Sequence, residues 1–276
     1  LEFRRVLFRS QSIVVGIVLL KPVVFLIALL LLATMVWLTL KTLGGHLRFG
    51  TVYYTVRSWI VLLSLLLVGL VINTPDFAFG VALLAVLMVL KGQHEIRRLF
   101  RKFPSQTTKQ RYLDSLFILV FSLFIIAFID LGTSLNQQHQ LGILLFVIFV
   151  IQFNDIGQYL MGRLLGQRLF KRKLAPIISP NKTIEGALFG CMLTSALSLP
   201  IGKFLTPFNY IQIFILACIL TSIGIVGDLL ESAVKRSHGV KDMGRWLKGH
   251  GGIMDRIDSL LLSVPVFWFI YRTCLS

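Results

Sequence analysis

The chain alternates long apolar runs with shorter polar connections. Runs of bilayer length fall at about 22–40, 58–73, 77–91, 113–131, 141–160, 184–204, 208–229 and 258–275. A helix needs ~20 predominantly apolar residues to cross a hydrocarbon core. The pattern therefore predicts an all-α polytopic membrane protein of about eight transmembrane helices, with its polar site at the cytoplasmic edge. Pro22 stands near the start of the first run, where a missing N–H costs little. Residues 12–20 are apolar but too few to cross alone, so the first span begins at Pro22 or somewhat before it. Asn73-Thr74-Pro75-Asp76 reads as a tight turn between the second and third runs.

Composition agrees with the pattern. Of the 276 residues 56% are hydrophobic and only 14% charged, and the mean hydropathy is +0.82. A soluble domain of this size could not cover so much apolar surface. The formal net charge of +16 would suggest nucleic acid on a soluble protein. Here the basic residues flank spans rather than forming an aromatic-interleaved patch, so a nucleic-acid partner is not expected.

Their distribution predicts a topology. Lys41, Arg48 and Arg57 lie in one connection, Arg97, Arg98, Arg101 and Lys102 in another, and Arg163, Arg168, Lys171, Arg172 and Lys173 in a third. The connection between the last two spans adds Lys235, Arg236, Lys241, Arg245, Lys248 and Arg256. The alternate connections hold only Lys203. Excess Lys and Arg marks the cytoplasmic side, which places both termini outside. The first ten residues, LEFRRVLFRS, put arginines on the wrong side and are expected to be non-native or a fragment edge. Residues 11–140 then carry the N-terminal spans and 141–276 a C-terminal membrane domain, the portion in which any catalytic residues are expected. Cys191, Cys218 and Cys274 stand singly in apolar segments, without disulfide or zinc spacing.

Two basic connections carry more than charge. In the later one, Asp228, Glu231 or Ser232, and Lys235 recur at three and four residues, so a helix continuing past the membrane would place them on one face. Asp255 and Asp258 repeat that spacing before the last span. Paired carboxylates of this kind suit a hard cation, chiefly Mg²⁺, or interhelix salt bridges at the membrane edge. Lys235, Arg236, Lys241 and Arg256 offer the charge a phosphate needs. Gly249, Gly251 and Gly252 permit a tight loop whose N–H groups can approach an anion, and His250 among them is a polar contact or a loop cap. In the earlier connection Ser179-Pro180 fits a helix N-cap and first helical position, which would set Lys182 and Glu185 in the opening turns. Gly186 and Gly190 have the spacing of helix packing.

The ordered set Ser232-Ala-Val-Lys235-Arg236, Lys241-Asp242-x-Gly244 and His250-Gly251-Gly252-Ile-Met-Asp255-Arg256-Ile-Asp258 resembles the signature of the phosphatidate cytidylyltransferase (CDP-diacylglycerol synthase) family. Asp155-x-Gly157-x-Tyr159 and Lys173-Leu-Ala-Pro176-x-x-Ser179-Pro180-x-Lys182-Thr183-x-Glu185-Gly186 extend the resemblance, which covers roughly residues 150–260. Lys248 stands where that family usually has Pro or Gly. Asn154, Ile156 and Gln158 are variant neighbours of Asp155, of a kind associated with a divergent bacterial branch. These departures bear on the acceptor lipid more than on the chemistry.

The resemblance implies transfer of a cytidylyl group from CTP to phosphatidate or a related lipid phosphate, at a bacterial inner membrane with the site facing the cytoplasm, and it admits a homodimer. It implies that Asp228, Asp255 and Asp258 hold Mg²⁺, alone or with a second cation. Lys235, Arg236 and Arg256 would hold phosphate, with Ser179, Lys182, Glu185, Ser232, Lys241, His250, Gly251 and Gly252 binding substrate. The rival expectations are cytidylyl transfer or a CTP-dependent kinase reaction on another lipid, and a non-catalytic anionic-lipid binder or transporter. Asp114 and Asp130, both near span ends, are the transporter's only deep acids.

Overall fold

In the computed structural model, which describes residues 2–44, 50–244 and 251–275, the apolar runs are helices. They are α1 (Glu2–Thr42), α2 (Thr51–Val71), α3 (Phe79–Lys102), α4 (Thr108–Gln137) and α5 (Leu141–Leu165). A two-stranded antiparallel hairpin follows, β1 (Lys173–Ala175) and β2 (Ser179–Thr183). Then come α6 (Ile184–Leu205), α7 (Tyr210–Ser237), the short α8 (Met254–Ile257) and α9 (Leu260–Ile270), which ends in a π turn over Tyr271–Leu275. Helices α1 to α7 include seven segments long and apolar enough to cross a membrane, and Leu260–Leu275 is a shorter apolar helix. The chain is an integral membrane protein whose apolar segments, among the described residues, are all helical.

Helix α5 is the centre of the bundle. In its most apolar stretch 61% of residues are buried, against 6% for α1. Around it Phe117 and Phe124 of α4, Ile213 and Leu220 of α7 and Phe267 of α9 are sealed from any solvent. Helix α1 instead leaves Leu31, Leu32 and Met35 exposed, as a helix apolar all round does when it faces lipid.

The closest helix pair, α5 with α6, is a glycine seam. A Cβ on Gly190 would stand 2.7 Å from the backbone nitrogen of Gln158, and one on Gly157 2.7 Å from Thr194 Oγ1. Gly186 approaches Gln158 and Gly162 in the same way. In lipid, small residues let backbones close up without a hydrophobic driving force. The Gly186–Gly190 spacing is thus used for packing.

Two boundaries differ from the sequence reading. Helix α1 runs unbroken from Glu2 through Pro22, and its crossing segment is Leu20–Thr42; proline inside a membrane helix is accommodated where its surroundings re-satisfy the freed carbonyl. Ser179 is not a helix N-cap. It pairs with Ala175 in the hairpin, as Thr183 pairs with Lys173. Pro180, which has no N–H to donate, is tolerated on such a two-stranded edge. The cap of α6 is Thr183, whose Oγ1 accepts from Gly186 N at 3.0 Å. Lys182 therefore lies on β2, and only Glu185 falls in the first turn of α6.

Helix α7 starts on a capping box, Asn209 with Gln212, and runs to Ser237, about two turns past its apolar run. That overhang carries the acidic and basic residues of the candidate site away from the apolar layer.

Candidate active site

A cleft of about 490 Å³ opens between the end of α5, strand β2, the start of α6 and α7, and is lined by Asp155, Tyr159, Arg163, Ser179, Lys182 and Asp228, with Gln158, Asn181 and Thr183 beside them. Ser179 and Lys182 thus meet Asp228 although about fifty residues separate them in the chain. Lys182 Nζ donates to Asp228 Oδ2, and both side chains are mostly buried. Ser232, one turn further along α7, donates to Asp228 Oδ1 at 3.2 Å.

Asp258 approaches from the turn between α8 and α9. Gly227 makes this approach feasible, since a Cβ there would stand 2.7 Å from the Asp258 carbonyl oxygen. Ser259 Oγ lies 3.3 Å from Asp155 Oδ2 and 3.0 Å from Asp258 Oδ1; its one proton serves one carboxylate at a time. Burial, reinforced by the charge of Asp228, pushes the Asp258 carboxyl up to about 6. Asp155, Asp228 and Asp258 therefore form one acidic centre.

Among the described residues no three His, Cys, Asp or Glu side chains stand close enough to cage a metal as they are. The donor chemistry nonetheless fits a hard dication. The centre is all oxygen, and three carboxylates converge on it, linked through Lys182 and Ser259.

Asp255 is placed differently from Asp258. Its carboxylate accepts from Lys235 Nζ at 2.9 Å, from Gly252 N at 2.7 Å and from Met243 N at 3.1 Å. Lys235 is itself buried and also donates to Glu231 Oε2 at 2.5 Å. Asp255 and Lys235 thus fasten the loop onto α7. Gly251 at φ +77° lies in the left-handed region, and a Cβ there would stand 2.6 Å from Asp255 Oδ2. The N–H of Gly252 goes to Asp255, so the anion this turn meets is a side chain of the protein.

Arg236 donates to the carbonyl oxygens of Val240 at 2.8 Å and Ile178 at 3.3 Å, tying α7 to the hairpin. Burial pulls the Arg256 guanidinium below its usual range, against the opposing pull of Asp258, Asp255, Asp155 and Glu231, whose charges it feels together. Glu185 is fully buried behind the cleft and accepts from Leu169 N at 3.0 Å and Phe170 N at 2.8 Å, bracing the loop before the hairpin. Lys241 lines a separate depression with Arg98 and Asp242. His250 lies outside the described residues, as does Lys248.

Two contributors went unselected in the sequence. Asp155 was visible only as part of the earlier motif. Glu95, on α3, accepts from Ile253 N and Met254 N, both at 3.0 Å, at the start of α8. A Cβ on Gly244 or Gly252 would strike its carboxylate. Its signal was available: Glu95 is the sole acid between Asp76 and Asp114, in an otherwise basic stretch. The two deep acids of the transporter reading are also engaged. Asp114 pairs with His238 at 3.0 Å, and Asp130 accepts from Trp268 Nε1 at 2.6 Å and from Arg272.

Residues 5–274 match the model of a family described as "Cytidylyltransferase family". Over 117 residues the chain is 44% identical to the uncharacterized protein YnbB of Escherichia coli (strain K12), covering 42% of this chain and 38% of that one. It is 50% identical over 111 residues to a phosphatidate cytidylyltransferase of Staphylococcus haemolyticus, covering 39% of this chain and 40% of the relative. The corresponding protein of Bacillus subtilis is 44% identical over 114 residues, 41% of this chain and 40% of the relative. The chain thus spans about two fifths of the length of the curated relatives it matches.

Proposed function

The chain belongs to the cytidylyltransferase family, and we propose that it transfers the cytidylyl group of CTP to phosphatidate, giving CDP-diacylglycerol and pyrophosphate. The observation that carries this reading is the cleft that gathers Ser179 and Lys182 opposite Asp155 and Asp228, where the polar overhang of α7 leaves the apolar layer. A lipid headgroup can meet a water-soluble nucleotide there while its acyl chains stay in the bilayer.

The chemistry asks little of a conventional nucleophile. A phosphate oxygen of the lipid, already ionised, forms a bond to the α-phosphorus of CTP, and the bond to the β-phosphate oxygen breaks, with pyrophosphate taking the electron pair. No activated Ser or Cys is needed; alignment and charge neutralisation are. Asp155, Asp228 and Asp258 would hold Mg²⁺, which when bound neutralises phosphate charge. Lys182 and Arg163 present cations on the cleft wall for phosphate oxygens, and Ser179 offers a hydroxyl. Lys235 and Asp255 act through position, holding the loop that sets Asp258 against Gly227. The basic side of the membrane, which bears this cleft, is assigned to the cytoplasm by the distribution of Lys and Arg; reporters fused within 103–107 and 137–140 should read cytoplasmic and external.

Purified protein incubated with labelled CTP, Mg²⁺ and a panel of lipid phosphates is the direct test. Formation of CDP-diacylglycerol with release of pyrophosphate is expected from phosphatidate. Release of CDP instead would make the protein a CTP-dependent lipid kinase, and product only from an isoprenoid phosphate would move the acceptor. No turnover with any lipid would overturn the enzymatic reading.

A further inference from the structure

One face of α3 is unused by the proposed reaction. Leu83, Val86 and Leu90 are exposed along it, followed by His94, Arg97 and Arg101, all at successive steps of three or four residues, so they form a single stripe. The stripe is apolar in its first half and cationic in its second. The cationic half lines an open groove of about 610 Å³ together with Leu90, Arg98 and Lys102. Arg97, Arg98 and Arg101 enter no ion pair among the described residues, and Arg97 has only a 3.5 Å contact with Gln93 Oε1.

The change from apolar to cationic comes at a telling depth. From Phe79 to Arg97 the helix rises about 27 Å at 1.5 Å per residue, close to the ~30 Å of a hydrocarbon core. Leu83 to Leu90 therefore lie at acyl-chain depth and Arg97 to Arg101 at headgroup depth. The opposite face of α3 carries Glu95, which holds the start of α8, so the groove and the cleft are separate.

We propose that this groove is a binding site for an anionic phospholipid of the adjoining leaflet, its phosphate held by Arg97 and Arg101 and its acyl chain laid along Leu83, Val86 and Leu90. The occupant is a membrane lipid bearing a phosphodiester, distinct from any acceptor in the cleft. Planar guanidinium groups suit a phosphate by paired hydrogen bonds, and an apolar stripe directly below suits the rest of an amphiphile. The site goes beyond the proposed reaction and does not rest on it.

The test is a titration of detergent-solubilised protein with fluorescent phosphatidylglycerol, read by anisotropy. Each lost charge-assisted hydrogen bond to the phosphate weakens binding at least about tenfold, so Arg97→Ala with Arg101→Ala should weaken it roughly 100-fold. An equal loss of charge elsewhere on the same side, Arg168→Ala with Arg172→Ala, should leave it within about twofold. Unlabelled phosphatidylglycerol should compete, and phosphatidylcholine, inorganic phosphate and CTP should not. Equal weakening by both double variants would show a diffuse basic surface and overturn the proposal. Displacement by inorganic phosphate would make it a free-anion site, and displacement by CTP would put the lipid in the cleft; either result also overturns it. Because binding is read without turnover, a protein inactive with CTP leaves the outcome interpretable.

Discussion

Lys182 and Asp228 form an ion pair across the cleft, joining strand β2 to α7. Each side chain is only 19% exposed, so the pair is shielded from bulk solvent more than a surface salt bridge would be. The ammonium lies on a carboxylate that we assign to cation binding, so Lys182 and a dication compete for Asp228. Lys182→Met should therefore raise the Mg²⁺ affinity of the nucleotide-free protein while lowering CTP turnover about 10²–10³-fold, the size of a lost charge-stabilising contact. Asp228→Asn should lose both. Calorimetry with Mg²⁺ and a CTP assay separate the two effects. Full turnover by Lys182→Met would remove that lysine from phosphate binding.

Asp255 and Asp258 stand three residues apart and are expected to respond differently. Asp255 accepts from Lys235, Gly252 and Met243. Asp255→Asn should therefore cost about 2–3 kcal/mol of stability through weakened charge-assisted hydrogen bonds, seen as a lower melting temperature in detergent, with turnover falling in step. Asp258→Asn should raise the melting temperature of the metal-free protein above about pH 6, because it removes a buried charge, and abolish transfer. If the two variants behaved alike in both measurements, the division between loop anchor and cation ligand would fail.

Asp258 also sets a pH dependence. Its carboxyl is raised from the ordinary 3.8 to about 6, so the metal-free folded state holds this proton more tightly than the unfolded chain. The resulting contribution to stability is full below about 3.8 and is lost as pH rises through about 6. Mg²⁺ seeks the same oxygens in their charged form. Its affinity should fall as pH drops through about 6, by up to ~tenfold per unit for this carboxyl, and Asp258→Asn should weaken this dependence. Calorimetric titrations from about pH 5 to 8 check both; a level wild-type affinity would take Asp258 out of the ligand set.

The glycine seam gives a prediction free of any catalytic reading. In Gly190→Leu the new side chain meets Gln158 N, where even a Cβ would stand at 2.7 Å. Forced separation of α5 and α6 should cost ~3 kcal/mol, the upper end for overpacking, and sharply reduce folded protein on size exclusion. Met192→Leu, at an exposed position on the same helix, should have no such effect.

The spans and the acidic face of α7 were legible because helical periodicity acts over a few residues. Asp228 with Ser232 and Glu231 with Lys235 meet at the spacing the sequence displays. The hairpin was not legible: β1 and β2 are three and five residues long, too short for a two-residue alternation, and Ser179-Pro180 imitates a helix start. Asp155 joins Asp258 through Ser259 only when α5 and α9 are packed, a relationship without a local signature. Asp255 had the correct spacing for a cation ligand, but backbone N–H groups and Lys235 occupy its oxygens. Spacing reports which residues share a face and is silent on what fills their hydrogen-bonding capacity.

Glu95 bears on how divisible the chain is. Every described residue lining the cleft lies after residue 140, which invites treating the two portions as separable. Yet the N–H groups of Ile253 and Met254 are gathered by a carboxylate from α3, seated between Gly244 and Gly252. Severed in the connection after Gln137, the C-terminal fragment would keep the whole cleft and lose the clasp on its last loop. Such a fragment should regain order only by non-covalent reunion with its N-terminal counterpart, and Glu95→Ala in that counterpart should prevent the rescue.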